Sequence, residues 1–190
     1  MVDTMRLISL LENKEKFIDL VGRRQTVPMK ERIIAVIESA PKGTIFYFDF
    51  NEVREVNGSG IHEIVVKPLQ WLYDNYKSHD KFLVLKNLSE EFDHLYNIQI
   101  TCNKEKVTIL AQAENSYEVI GSKAGNAHID LLNLVYSRKQ VTASELASLL
   151  DKKHTLIATH LNRLYEYRLL NREEEQLQEG GRQYVYHSLF

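Results

Sequence analysis

The sequence predicts an α/β fold in two parts, and two observations support this prediction. The first is a short apolar and aromatic run, Ile45–Phe50, which follows the breaker residues Pro41 and Gly43. Such a run is typical of a strand buried on both faces, as in a parallel sheet covered by helices. The second is a change of pattern after Gly121, from alternating strands and helices to consecutive helices that end in a hairpin. We therefore predict an N-terminal α/β layer domain and a C-terminal domain of three helices plus a β-wing.

Composition narrows the class of protein. The chain has 190 residues, of which 44% are hydrophobic and 26% are charged, and its formal net charge is −2. No apolar run is long enough to span a membrane, and residues 1–17 lack the features of a signal peptide. The single cysteine, Cys102, cannot form an internal disulfide, which favours a reducing compartment. The near-neutral charge argues against non-specific coating of nucleic acid. We expect a cytoplasmic protein that has no membrane partner.

Periodicity and breaker residues place the elements of the predicted N-terminal domain, residues 1–121. Pro68 lies inside a helical pattern and should kink or split that helix. Ser89, ahead of Glu90 and Glu91, predicts the cap of a short helix. Its apolar side would carry Phe92, Leu95 and Tyr96. The other predicted elements are strands at Arg6–Leu11 and Phe17–Val21 around the turn Glu12–Lys16, a helix starting near Thr26 and Pro28, and strands at Phe82–Leu85, Lys106–Ala111 and Tyr117–Ile120.

A polar loop separates the central strand from the next helix. Its sequence is Asn57-Gly58-Ser59-Gly60, in which two glycines permit turn conformations closed to other residues. Ser59 is the predicted cap of the helix that follows. In open α/β sheets, ligands and partners bind at the carboxyl ends of the strands, where this loop is expected. The buried stripe of the helix is predicted to comprise Ile61, Ile64, Val65, Leu69, Leu72 and Tyr76.

This stretch resembles the STAS family of sulfate-transporter and anti-sigma-factor-antagonist domains, in particular its STAS-like branch. The resemblance covers roughly residues 16–121, with Asp49 at the end of the strand and Asn57–Ile61 at the family's loop. It implies recognition of a regulatory protein, such as a kinase-like ATPase. The serine that is phosphorylated in antagonists of this family falls on Gly58, which has no hydroxyl group. We therefore expect that Asn57, Gly58, Ser59, Gly60 and Ile61 bind a partner or signal without covalent modification.

The predicted C-terminal domain, residues 127–190, follows a polar linker at residues 122–126. A helix is expected at Ala127–Tyr136, and Thr142 with Glu145 forms a capping box for the second helix. The predicted buried side of that second helix is Leu146, Leu149 and Leu150. Beyond it the sequence predicts a turn at Asp151–His154, a third helix with Ile157, Leu161 and Leu164 inward, and a hairpin of Asn171–Glu175 and Gln183–His187 with Glu179-Gly180-Gly181 in its turn.

The order of these elements resembles that of a winged helix-turn-helix domain, over about residues 126–190. In such domains the third helix lies in the major groove, with its N-terminal residues at base edges. Asparagine can pair with adenine, and threonine or alanine can contact a thymine methyl group. The alternative is an ordinary solvated helix face. The candidate base-contacting residues are His154, Thr155, Ala158, Thr159 and Asn162, and the candidate phosphate contacts are Lys152, Lys153, Arg163 and Arg182.

Charge counts against strong DNA binding by a single copy. Residues 127–190 contain eight basic and eight acidic side chains, so this domain is formally neutral. Phosphate neutralisation supplies much of the affinity for DNA, so we expect a homodimer that doubles the contacts. The acidic run Glu173-Glu174-Glu175 is also unfavourable beside a phosphate backbone. The alternative is an adaptor of the anti-sigma-factor-antagonist type, in which the winged helix docks protein instead of double-stranded DNA.

An enzyme is the least favoured class. His62 and Glu63 follow the loop and could serve acid–base chemistry, but an ordinary first helical turn explains them better, because no third group is visible in the sequence to orient them. The histidines show no metal-ligand spacing, and no glycine loop of the phosphate-cradling kind is present. We therefore predict no catalytic residues, metal or cofactor. The leading prediction is a transcriptional regulator with a STAS-like domain for signal or partner recognition.

Overall fold

The computed structural model describes residues 2–7, 16–114, 116–178 and 180–190. The chain divides into two compact units, Met1–Lys123 (the first unit) and Ala124–Phe190 (the second unit). This division falls between two residues of the predicted linker, 122–126. Both units combine helices with sheets, as the predicted α/β class requires.

The elements of the first unit alternate along the chain. They are β1 (Val2–Arg6), β2 (Ile18–Leu20), α1 (Arg23–Ser39), β3 (Ile45–Asp49), β4 (Val53–Val56), α2 (Gly58–Ile61), a π-helical turn (His62–Val66), α3 (Lys67–Asp74), β5 (Phe82–Lys86), α4 (His94–Glu105), β6 (Thr108–Gln112) and β7 (Tyr117–Gly121).

A five-stranded sheet with the order β1-β3-β5-β6-β7 forms the centre of the first unit. The first four strands run parallel, and β7 is antiparallel to β6. The predicted central strand is confirmed, because β3 pairs on both edges and its Phe46 and Phe48 are fully buried. The predicted strands at 82–85, 106–111 and 117–120 are also confirmed, with shifts of one or two residues at their ends.

The first strand of the structure begins four residues before the predicted strand Arg6–Leu11 and shares only Arg6 with it among the described residues. This strand is Val2–Arg6, in which Val2, Asp3 and Thr4 are exposed. It is an edge strand that pairs with β3 through its backbone, so no buried apolar pattern marks it in the sequence. The rest of the predicted strand, residues 8–11, and most of the turn, residues 12–15, lie outside the described residues. The second predicted strand is confirmed as β2, but it pairs with β4 in a separate two-stranded parallel sheet, so it forms no hairpin with β1.

The structure bears on the predicted start of α1, on the effect of Pro68 and on the predicted position of Tyr76. Helix α1 begins at Arg23, ahead of Thr26, whose hydroxyl group donates to the Gly22 carbonyl (2.7 Å). A kink or a split was predicted at Pro68, but the helical backbone continues from Gly58 to Asp74. The irregularity is a π-helical turn, His62–Val66, which precedes Pro68 and accommodates its missing N–H. Tyr76 was predicted to belong to the buried stripe of this helix, but it lies beyond the end of α3.

The helix predicted after Ser89 begins at His94 instead. Residues 90–93 form turns, in which the Phe92 N–H donates to the Ser89 hydroxyl group (3.4 Å). The predicted apolar side, Phe92, Leu95 and Tyr96, is exposed by 36%, 37% and 67%. The buried side of α4 comprises His94, Ile98, Thr101 and Cys102.

The second unit contains three helices and a small sheet. Its elements are α5 (Asn126–Arg138), β8 (Gln140–Thr142), α6 (Ala143–Leu150), α7 (His154–Glu166), β9 (Asn171–Gln176) and β10 (Arg182–His187). Strand β10 lies between β8 and β9, antiparallel to both. The two predicted hairpin strands are therefore confirmed, and β8 adds a third strand. Glu179, predicted for the hairpin turn, lies outside the described residues.

The packing of these helices largely follows the sequence pattern. The capping box is present, because the Glu145 N–H donates to Thr142 Oγ1 (3.2 Å) and the Thr142 N–H donates to Glu145 Oε2 (2.6 Å). Leu149 is a wrong prediction, since it is 51% exposed and Ala147 is buried in its place. None of the helices in the described ranges has the length and hydropathy to cross a membrane.

Candidate functional site

The N-terminal half of α7 presents a polar surface opposite a buried stripe. Ile157, Leu161 and Leu164 are buried as predicted, so they fix the rotation of the helix. The turn before α7 is tight: Asp151 has φ 50°, and the Lys152 N–H donates to the Ala147 carbonyl (3.0 Å). The candidate residues at this end are exposed, namely Lys152, Lys153, His154, Thr155 and Thr159, whereas Ala158 is half-buried.

Thr159 has its hydroxyl hydrogen engaged within the helix. Its Oγ1 donates to the Thr155 carbonyl (2.8 Å), as threonine often does in helix interiors. Thr159 as a residue is exposed, and its methyl group takes no part in this bond. Thr159 can therefore contact a thymine methyl group or accept a hydrogen bond.

Asn162 is tied to its neighbours. Its Nδ2 donates to Glu166 Oε1 (2.8 Å), and its Oδ1 accepts from Arg172 Nη1. Bidentate pairing with adenine needs both of these amide atoms. Asn162 would have to release both partners to read a base, so in this geometry it joins α7 to β9.

The Arg172 guanidinium lies between two aromatic rings. Its Cζ is 4.0 Å from the Tyr165 ring centroid and 4.1 Å from that of Tyr184. Cation–π contacts of this kind are each worth roughly 0.5–2 kcal/mol. This stack, together with the bond to Asn162, fixes β9 and β10 against α7. No local sequence pattern indicated this role for Arg172, because its partners lie on two other elements, α7 and β10.

The remaining candidate cations are ion-paired. Arg163 Nη1 lies 3.3 Å from Glu166 Oε2, and Arg182 Nη1 lies 3.0 Å from Glu174 Oε1 across the wing. All three glutamates at 173–175 are exposed. The wing therefore offers less positive charge than its sequence alone implies.

The loop at Asn57–Ile61 is helical, which corrects the predicted turn. Gly58 to Ile61 form α2, and neither glycine has a positive φ. The cap is Asn57, whose Oδ1 accepts from the Gly60 N–H (2.9 Å) and from the Gly22 N–H (3.3 Å). Ser59 was expected to be the cap, but it lies inside the first turn. Asparagine is as good a cap as serine, so the sequence offered two candidates.

Close packing surrounds this loop. A Cβ atom on Gly60 would overlap the Leu20 carbonyl oxygen, whereas one on Gly58 would lie 3.5 Å from Thr101 Oγ1. Ile61 is fully buried. Among the predicted partner-binding residues, Gly58 is exposed, Asn57 and Ser59 are half-buried, and Gly60 and Ile61 are buried. The loop follows β4 instead of the central strand.

A buried carboxylate lies in the π-helical turn just after the loop. Glu63 is 6% exposed, and its oxygens lie 3.2 Å from His62 Nδ1, 3.4 Å from Arg23 Nε and 3.8 Å from Lys30 Nζ. Glu105 Oε2 lies 3.8 Å from His62 Nε2. This contact between α4 and the π-helical turn was not visible in the sequence. The cluster joins α1 and α4 to the π-helical turn.

A cleft of about 550 Å³ opens at the carboxyl ends of β5 and β6. Small-molecule sites have this size, and this edge of a parallel sheet is where they are commonly found. Asn87, at φ 57°, donates from Nδ2 to Asp49 Oδ1 (2.7 Å) at its border. No sequence pattern indicated this cleft. Its polar lining includes Lys86, Asn87, Ser89, Glu90, Gln112, Glu114 and Glu118.

Reactive and metal-binding groups are scarce in the part of the chain that the structure describes. Cys102 is fully buried, and burial raises the pKa of its thiol to about 12, so it stays protonated and unreactive. Within the described ranges, no group of three or more His, Cys, Asp or Glu side chains could hold a metal ion.

The comparisons with known proteins give no family assignment. No protein-family model matches the chain, and no curated protein sequence matches it.

Proposed function

We propose that the protein is a cytoplasmic transcriptional regulator that binds operator DNA as a homodimer through a C-terminal winged helix. The observation that carries this proposal is the exposed N-terminal half of α7. There Lys152, Lys153, His154, Thr155 and Thr159 face solvent, while the opposite stripe is buried. In helix-turn-helix proteins, this end of the third helix contacts base edges.

The first unit is the proposed STAS-like recognition domain. Two features support a regulatory role: the Asn57–Ile61 loop with its exposed Gly58, and the cleft beside Asn87. Gly58 carries no hydroxyl group, so recognition would proceed by binding a partner, such as a kinase-like ATPase, or a ligand. The Asn57 cap and the close packing of Gly60 would hold the loop in shape.

The second candidate function is that of an adaptor whose winged helix docks a protein. It is favoured by the ion pairs that occupy Arg163 and Arg182, by the exposed glutamates of the wing, and by Leu149 and Leu156, which are 51% and 46% exposed. Apolar side chains at a helix-turn-helix corner suit a protein partner better than a phosphate backbone.

The experiment begins with crosslinking footprints in cells and continues with titration of the enriched site. Thr159→Ala should weaken specific binding by about 1–3 kcal/mol if Thr159 contacts a base. Ser137→Ala is the matched control, because its hydroxyl group donates to the Leu134 carbonyl (2.9 Å) in a comparable way on α5. We expect this control to leave DNA affinity unchanged.

Further variants in the same titration test the phosphate contacts and the structural role of Asn162. Lys152→Ala should weaken binding to all sequences and reduce the salt dependence, whereas Arg138→Ala, an exposed cation at the end of α5, should not. Asn162→Ala should lower stability as well as affinity, because it releases Glu166 and Arg172. Light scattering of the complex should report two copies per site. The adaptor would be favoured if no enriched sites are found. It would also be favoured if Thr159→Ala and Lys152→Ala bind DNA with the affinity of the wild type.

A further inference from the structure

Two histidines that are far apart in the sequence meet between α5 and α7. His160 Nδ1 lies 3.1 Å from His128 Nε2, and the residues are 32 positions apart. The ring centroids lie 4.8 Å apart, with an angle of 76° between the ring planes. Both side chains are half-buried. Neither histidine is among the residues assigned to DNA contact, although Arg163, a candidate phosphate contact, lies near the pair.

The distance between the two nitrogens suits a shared metal ion. Zinc–imidazole bonds of about 2.0–2.1 Å, at angles between a right angle and the tetrahedral angle, place two ligating nitrogens roughly 2.9–3.4 Å apart. The observed 3.1 Å falls inside this range. A hydrogen bond between the same atoms would also fit this distance, so the distance needs support from the ring orientation.

The ring orientation favours a common ligand. Hydrogen bonds prefer a linear N–H···N arrangement. In that arrangement the distance between the ring centroids is the N···N distance plus the distance from each nitrogen to its own ring centroid, which comes to more than about 5 Å. The observed 4.8 Å means that the rings are bent toward each other. Such a bend lets both nitrogen lone pairs point at one atom beside the N···N line.

The choice of ring nitrogens also suits metal binding. Neutral imidazole is the form that ligates metals. Ligation through His160 Nδ1 and His128 Nε2 leaves each ring its other nitrogen for the proton, and both tautomers are ordinary.

We propose that His128 and His160 bind one divalent late first-row transition-metal ion, such as Zn²⁺ or Cu²⁺, which clamps α5 to α7. Imidazole is a good ligand for these ions, and affinity peaks at Cu²⁺ in this series. Since the described residues supply no third His, Cys, Asp or Glu here, water or an external ligand completes the coordination. The positive charge of Arg163 opposes the ion, but Glu166 lies 3.3 Å from that guanidinium and offsets part of it.

The clamp has a measurable consequence. An ion that binds only the folded state stabilises it by mass action, in proportion to the logarithm of ion concentration over Kd. We therefore expect Zn²⁺ and Cu²⁺ to raise the melting temperature of the full-length protein, and Mg²⁺ to have no effect. This expectation does not depend on DNA binding.

The test uses the tag-free full chain, with Zn²⁺, Cu²⁺ and Mg²⁺ titrated by calorimetry and thermal unfolding. We expect one equivalent of Zn²⁺ or Cu²⁺ to bind. His128→Gln and His160→Gln should each weaken binding at least tenfold and remove the thermal shift. His79→Gln, a half-buried histidine of the first unit, is the control and should behave like the wild type.

Imidazole ¹⁵N chemical shifts of the wild-type protein provide a second readout that needs no variant. Zn²⁺ should move His128 Nε2 and His160 Nδ1 together, ahead of the other ring nitrogens. The proposal is overturned if neither ion binds, if both Gln variants bind as the wild type does, or if saturating Zn²⁺ leaves these two nitrogens unshifted.

Discussion

The two units use their polar side chains in different ways. In the first unit, residues that the sequence marked for a site are committed to the fold: Asn57 caps α2 and Glu63 is buried among cations. In the second unit, Lys152, Lys153 and Thr155 at the start of α7 are exposed. The difference shows that a polar residue near a predicted site can serve either folding or binding. The exposure of its side chain and its hydrogen bonds within the fold indicate which of these roles it has. Substitutions in the first unit should therefore change stability, and those at the α7 surface should change affinity.

Gly60 offers the sharpest test of a loop residue committed to the fold. Gly60→Ala should destabilise the protein by about 3 kcal/mol or more, because the new methyl group would overlap the Leu20 backbone, which cannot move aside like a flexible side chain. Gly58→Ala is the matched control, two residues away in the same helix. Its methyl group meets Thr101 at an ordinary contact distance, so the higher helix propensity of alanine should leave stability unchanged or raised by up to about 1 kcal/mol.

Urea unfolding of both variants measures this contrast. Equal losses at the two positions would mean that the loop needs glycine for its backbone conformation, as the sequence first indicated. A loss at Gly58 alone would contradict the packing of α2 against β2.

His94 extends the comparison to pH. It is fully buried; its Nδ1 accepts from the Ser89 N–H (3.1 Å), so its Nε2 carries the proton and donates to the Arg54 carbonyl (2.7 Å). Burial lowers the pKa of His94, and the Arg54 carbonyl opposes this shift only in part. The unfolded chain therefore binds this proton at a higher pH than the folded chain. The contribution of His94 to stability is complete above about pH 6.5 and is lost as the pH falls toward its folded-state pKa.

Unfolding free energies at pH 7.5 and 5.5 test this expectation. His94→Gln should cost about 2 kcal/mol at pH 7.5, because two buried hydrogen bonds are disturbed, and it should reduce the loss between the two pH values. His128 also has a lowered pKa, so the wild type and the variant must be compared at each pH. A pH dependence that is the same in both proteins would assign the acid sensitivity to other groups.

Local sequence patterns predicted part of the fold well. The apolar run of β3, the capping box of α6 and the inward stripe of α7 were all recognisable, because each depends on residues within one element. The exposed start of α7 followed from that stripe. Edge strand β1 was misplaced because its exposed residues carry no apolar pattern.

Long-range contacts account for what the sequence did not predict. The Arg172 stack, the His128–His160 pair and the Glu63 cluster each join separate elements, and no local spacing reveals them. Leu149 was expected inside and lies exposed, because the α6 pattern fits two rotations and Ala147 occupies the buried position. The cleft at β5 and β6 depends on loops whose shape a strand pattern does not determine.

The smallest expected effect concerns the helix caps of the two units. Thr142 was predicted to cap α6 and does so, whereas Ser59 was predicted to cap the loop helix and Asn57 takes that role. Asn57→Ala should therefore cost about 1–2 kcal/mol, since it leaves the Gly60 and Gly22 N–H groups without their acceptor. Ser59→Ala should change stability by less than about 0.5 kcal/mol, since Ser59 lies inside the first turn. Thr142→Ala, with a cost of about 1 kcal/mol, calibrates the scale in the second unit. If urea unfolding instead shows the larger loss for Ser59→Ala, the cap belongs to Ser59, and the helix begins two residues later than its hydrogen bonds indicate.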